Sequence, residues 1–117
     1  MARVKANLRR VGGFQRVFKY DQVVVDLEMH EIRHGDEIEQ LSRRERDLLA
    51  YFINHHGKIL SRDQLLQEVW GYKSGVATRT VDTHVLTIRK KLRDNAHTPM
   101  FIQTLHGVGY KFIGQEA

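Results

Sequence analysis

The chain has 117 residues, of which 41% are hydrophobic: enough for one buried core, too short for two, and too apolar for wholesale disorder. It contains no cysteine, which excludes a disulfide framework, a thiolate metal site and a thiol nucleophile, and no apolar run approaches the ~20 residues of a membrane span. Its net charge of +5 is unevenly placed, with six basic and no acidic groups over residues 1–19 but nine acidic against four basic over residues 20–47. A polyanion is therefore drawn to the ends of the chain and repelled by its second quarter. No secretory-type hydrophobic region follows Met1, so the expectation is a soluble, cytoplasmic protein.

Ala2 to Arg10 spaces Val4 and Leu8 four apart among basic residues, which predicts one or two helical turns ending before Gly12-Gly13. So short a helix is not stable alone. From Phe14 to Gln40 the period changes: β-branched and aromatic residues fall in short runs separated by turn-forming triplets. Four antiparallel strands are expected near 17–20, 23–27, 31–34 and 37–40. Ser42-Arg43-Arg44-Glu45 then forms a capping box, Leu48, Leu49, Phe52 and Ile53 follow at helical spacing, and Gly57 ends the helix. Lys58-Ile59-Leu60 reads as a short extended link. Ser61-Arg62-Asp63-Gln64 repeats the box, Leu65, Leu66, Val69 and Trp70 supply a buried face, and a loop from Tyr72 to Ala77 follows.

A third helix, about Thr78 to Arg93, carries the functional signal. At ~100° per residue Val81, Val85, Ile88 and Leu92 form a core stripe, while Arg79, Thr83, Leu86, Thr87 and Lys90 lie opposite, with Asp82, Arg89 and Arg93 at the margin. Pro99 bars a longer helix. Ile102–Thr104 and Tyr110–Ile113 close the chain as a hairpin turned at Gly107-Val108-Gly109.

The expected fold class is thus α+β: a winged helix-turn-helix with an N-terminal four-stranded antiparallel sheet, three helices and a C-terminal β-hairpin wing. A helix ~10–12 Å across fits the DNA major groove, where outward Thr and Leu methyls meet thymine and flanking Arg and Lys meet phosphates. Most basic helix faces are simply solvated; against that reading here stands the mixing of Thr83, Leu86 and Thr87 among the charges. Gly107-x-Gly109 lacks the third glycine of a dinucleotide loop, since Phe112 stands there, and it joins two strands. Neither His30 with His34 nor His55 with His56 has metal-ligand spacing, and no clustered nucleophile exists, so no metal, cofactor or catalysis is expected. Trp70 is suited to core packing, or to donating its indole N–H to a phosphate.

Leu41–Glu45, Ser61–Leu66, Val69-Trp70-Gly71, Arg79–Val85, Ile88–Leu92 and Ile102–Phe112 together resemble the winged-helix output domain of OmpR/PhoB-family response regulators. The resemblance implies that residues 1–16 are the end of a receiver-domain helix and the interdomain linker, and that 17–117 are the effector domain. It implies that Thr83, Leu86 and Thr87 face bases, and that Trp70, Arg79, His84, Arg89, Lys90, Thr104 and Tyr110 meet the DNA backbone. It also implies that His106 lies at a wing position that enters the minor groove, and that Tyr72, Lys73 and Ser74 match a loop that touches RNA polymerase in some members. Implied partners are double-stranded DNA in direct repeats, a receiver domain and a sensor kinase; without the receiver the domain is expected to be monomeric.

Two departures from the family pattern matter. His106 stands where some relatives carry Arg, and His is shorter and carries less charge near neutral pH. Leu86-Thr87 stands where some have an Arg pair, which favours thymine methyls over guanine edges and so a T-rich half-site. The competing class is a winged helix that docks on an acidic protein partner.

Overall fold

Strand β1 (Val17–Tyr20) turns through Asp21, held at φ 55°, into β2 (Val23–Asp26), and β3 (Glu31–His34) and β4 (Glu37–Gln40) follow as an antiparallel meander in the order β1-β2-β3-β4. The computed structural model describes residues 16–71 and 78–116, so the expected N-terminal helix and linker and the loop with Tyr72, Lys73 and Ser74 lie outside the described residues. Register places Phe18, Val25 and Ile32 side by side on one face, where they are buried. The Asp26 carboxylate accepts from the backbone N–H groups of Glu28 and Met29, which fixes the longer turn into β3.

Helix α1 (Arg43–Asn54) opens on the expected capping box. The Glu45 N–H donates to Ser42 Oγ at 3.2 Å, and the Ser42 N–H donates to Glu45 Oε1 at 2.9 Å. Its apolar face, Leu48, Leu49 and Phe52, is fully buried. The second expected box is only half made: Ser61 Oγ accepts from the Gln64 N–H at 3.0 Å, but the Gln64 side chain turns away to donate to the Tyr51 hydroxyl. Helix α2 (Arg62–Leu65) continues without a break into a π-helical segment, Leu66–Trp70, ended by Gly71 in the left-handed region at φ 79°.

Residues expected to form a mere extended link instead make a strand, β5 (Ile59–Ser61), which pairs with β7 (Gly109–Phe112), the latter also pairing with β6 (Ile102–Leu105). The wing is therefore rooted in a three-stranded sheet ordered β5-β7-β6. This gives Gly109 a second reason to be glycine. Beyond its φ of 155°, a Cβ there would collide with the Leu60 carbonyl oxygen of β5.

Helix α3 (Arg79–Leu92) lies on α1 and α2 through Val81, Val85, Ile88 and Leu92, all buried as the periodicity requires. Tyr20 meets Phe101 and Phe112 edge-on, with ring centroids 5.5 and 5.9 Å apart, and so joins the N-terminal sheet to the C-terminal one over a single core.

Candidate nucleic-acid interface

Everything expected to touch DNA is organised around α3. Its outward face presents Arg79, Thr83 and Lys90, all exposed, with Thr87 half-buried. Leu86 is 55% exposed on a helix whose other aliphatic side chains are all buried. Thr83 Oγ1 donates to the Arg79 carbonyl at 3.1 Å and Thr87 Oγ1 to the Thr83 carbonyl at 3.2 Å. These bonds back to the preceding turn occupy each hydroxyl proton and hold the side-chain rotamers that present the methyl groups.

One margin of α3 is bolted to the wing. The Tyr110 hydroxyl, buried on β7, donates to Asp82 Oδ1 at 2.5 Å, and Arg62 Nε donates to the same oxygen at 2.8 Å. Burial, followed by the hydrogen bond to Asp82, pushes the Tyr110 phenol up to about 12, so it remains a neutral donor throughout the neutral range. Two turns further along, Arg89 Nη2 donates to the Ile102 carbonyl at 2.8 Å and to Thr104 Oγ1 at 2.6 Å, with the guanidinium carbon 5.8 Å from the Tyr110 ring centroid. Arg89 is only 9% exposed, and its Nε is the one buried side-chain nitrogen or oxygen without a hydrogen-bond partner among the described residues.

Helical spacing put Arg89 at the solvent margin; the structure instead folds its long side chain over the wing strand. Thr104 and Tyr110, also expected at the DNA backbone, are the groups that receive it. Asp82, expected only at the margin, is the hub that the sequence reading missed. No local signal marks it, because Arg62 and Tyr110 come from distant parts of the chain.

The opposite margin of α3 carries His84. Its Nδ1 lies 2.9 Å from the Thr80 carbonyl and therefore bears the proton in that bond, and its ring meets Trp70 edge-on at 5.0 Å. On Trp70 in turn sits Arg44, its guanidinium carbon 5.3 Å from the indole centroid. Arg44 comes from the first turn of α1 and was given no role by the sequence. His106 is exposed at the tip of the wing beside Gly107 and Val108.

A sheet that braces three helices, an outward α3 and a hairpin locked beside it are the parts of a winged helix. A family described as "Transcriptional regulatory protein, C terminal" matches residues 35–112. The chain belongs to this family. It is 37% identical to the transcriptional regulatory protein YkoG of Bacillus subtilis, over 97% of this chain and 51% of YkoG. It is 36% identical to the phosphate regulon regulator PhoB of Escherichia coli, over 96% of this chain and 49% of PhoB. Among solved structures, the DNA-binding domain of Klebsiella pneumoniae RstA, in complex with the RstA box, superposes with a TM-score of 0.72 at 31% identity. That match covers 85% of this chain and 98% of the RstA domain.

The chain thus spans about half the length of the curated relatives it matches. As a family member it is a DNA-binding winged-helix output domain of the OmpR/PhoB type, a transcription-control module and not an enzyme. Among the described residues, no helix is long and apolar enough to cross a membrane.

Proposed function

We propose that this domain reads double-stranded DNA with α3 in the major groove. Thr83, Leu86 and Thr87 meet base edges, and Arg79, Lys90, His84 and Trp70 meet the sugar–phosphate backbone. The wing lies over the adjacent minor groove with His106 at its tip. The observation that carries this reading is the outward face of α3, where an exposed Leu86 stands among threonine methyls and the cations Arg79 and Lys90, which have no ion pair among the described residues, while the helix's one acid, Asp82, is neutralised by Arg62. Arg89, Thr104 and Tyr110 act first as the joint between helix and wing, and reach the backbone only as far as that joint allows.

In the longer protein, residues 1–16 are the end of a receiver domain and its linker. Phosphorylation of that receiver by a sensor kinase promotes pairing on direct repeats, and the loop with Tyr72, Lys73 and Ser74 meets RNA polymerase. The isolated domain is a monomer, and the working compartment is the cytoplasm. The name of PhoB, a transcriptional regulatory protein about twice the length of this chain, and the RstA box bound by the RstA domain support transcription control through a DNA site by a longer protein.

The test is selection of binding sites from a random duplex library, then affinity against salt for the winner. A short T-rich half-site with a steep negative salt slope is expected. G-rich half-sites overturn the assignment of Leu86 and Thr87. Absence of duplex binding at low salt overturns the function in favour of an acidic protein partner.

A further inference from the structure

We propose that Arg44 is a DNA phosphate contact, forming with Trp70 and His84 a clamp on the groove wall opposite the wing; this rests on the DNA-binding reading above. A helix in the major groove lies between two phosphate walls. On one margin of α3, Asp82 and Arg89 are committed to the wing through Tyr110 and Thr104. On the other margin the protein continues from His84, edge-on to Trp70, and then to Arg44, whose guanidinium lies over the indole. Three elements, α3, the π-helical segment and α1, thereby converge on the side that the wing does not reach.

Among the described residues Arg44 shares with Arg16, Arg43 and Arg79 the lack of an ion pair, and it alone of these four has its guanidinium over an aromatic ring. Arg33, Arg46, Arg62 and Arg93 each sit in an ion pair, and Arg89 is buried under the wing strand. Arg44 meets no carboxylate within ion-pair distance among the described residues. Its Nη1 donates to the Val69 carbonyl, which leaves the remaining guanidinium N–H groups for an anion. The indole 5.3 Å from its guanidinium carbon and that single bond restrain the fork before any ligand arrives, and the side chain is only half-buried. A preordered, unneutralised, planar fork matches the two free oxygens of a phosphodiester. Its neighbour Arg43, one helical step away, has no such platform.

The experiment measures binding of the 117-residue domain to its selected duplex and to a scrambled duplex of the same length, across a salt series. The proteins are the wild type, Arg44→Gln, Arg44→Met, Arg44→Lys and Lys19→Gln. Arg44→Gln and Arg44→Met should each weaken both duplexes roughly fivefold to tenfold and make the slope of log K against log salt shallower by about one. Arg44→Met keeps an apolar stem over the indole, so it reports the charge even if Arg44→Gln folds poorly. Arg44→Lys should restore the slope, because the point charge survives the loss of the guanidinium over the indole. Lys19→Gln, on the outer strand β1, should leave slope and affinity unchanged.

A full wild-type slope in both neutral variants, or equal weakening by Gln, Met and Lys with no change of slope, would show that Arg44 only packs on Trp70 and would overturn the proposal. Failure of the wild type itself to bind any duplex strikes the DNA-binding reading, and the proposal falls with it.

Discussion

Leu86 is held in water at 55% exposure by a helix that buries every other aliphatic side chain it has. Its flanking threonines have their hydroxyl protons turned back on the helix, so the surface they share is methyl-rich, suited to the thymine 5-methyl and indifferent to phosphate. Thr83→Ala and Leu86→Ala should each weaken the selected site by about 1–2 kcal/mol while leaving binding to random duplex nearly unchanged. Arg79→Ala, the removal of an exposed cation, should weaken both alike, and a shift in sequence preference on that substitution would contradict the sorting. His106 is exposed at the wing tip. His106→Arg supplies a longer, fixed charge there and should tighten binding, measured as a lower Kd at constant salt; unchanged or weaker binding would count against wing insertion.

The joint between α3 and the wing sets where those residues stand. Tyr110→Phe removes the hydroxyl that Asp82 accepts, leaves that carboxylate to Arg62 alone, and should lower unfolding stability by about 1–2 kcal/mol in urea titrations. Gly109→Ala should cost more, roughly 3 kcal/mol, because the new Cβ must displace the β5 backbone. The same joint shows how far sequence alone reaches. Short runs of β-branched and aromatic residues between turn residues marked β1 to β4, Ser42 and Glu45 marked the start of α1, and the Val81-Val85-Ile88-Leu92 stripe marked the buried side of α3, since each is a local pattern. Strand β5 escaped because its three residues have no periodicity to read and gain their partner only from β7, far along the chain. Arg89 and Arg44 escaped for a related reason. Spacing places a Cα on a face, but a long cationic side chain can fold onto a distant ring, Tyr110 in one case and Trp70 in the other.

Across the whole molecule, the acidic second quarter of the chain does more than repel a polyanion from the N-terminal sheet. It anchors the C-terminal end of α3. His34 Nε2 donates to the Lys91 carbonyl at 2.7 Å, Lys91 Nζ donates to the Gln40 carbonyl at 2.6 Å and to Glu45 Oε1 at 2.7 Å, and Arg93 pairs with Glu37. Burial pushes the Glu45 carboxyl up, but the hydrogen bonds from Lys91 and the Ser42 N–H, with the charge of Lys91, outweigh it and hold the group below the usual carboxylate value. The hydrogen bond from Arg93 and its charge lower Glu37 as well. A carboxylate whose folded pKa is depressed stabilises the fold fully above its unfolded value, and that contribution is lost as pH falls through the folded value. The melting temperature should therefore drop as pH is lowered from about 5 toward 3, where these groups take up protons. Glu45→Gln should lower the melting temperature at neutral pH, and its deficit against the wild type should shrink on acidification, because the wild type loses the same interaction there. A deficit that stays constant from neutral to acid pH would mean that Glu45 acts through its shape and its capping hydrogen bond alone, with its charge contributing nothing to the anchoring of α3.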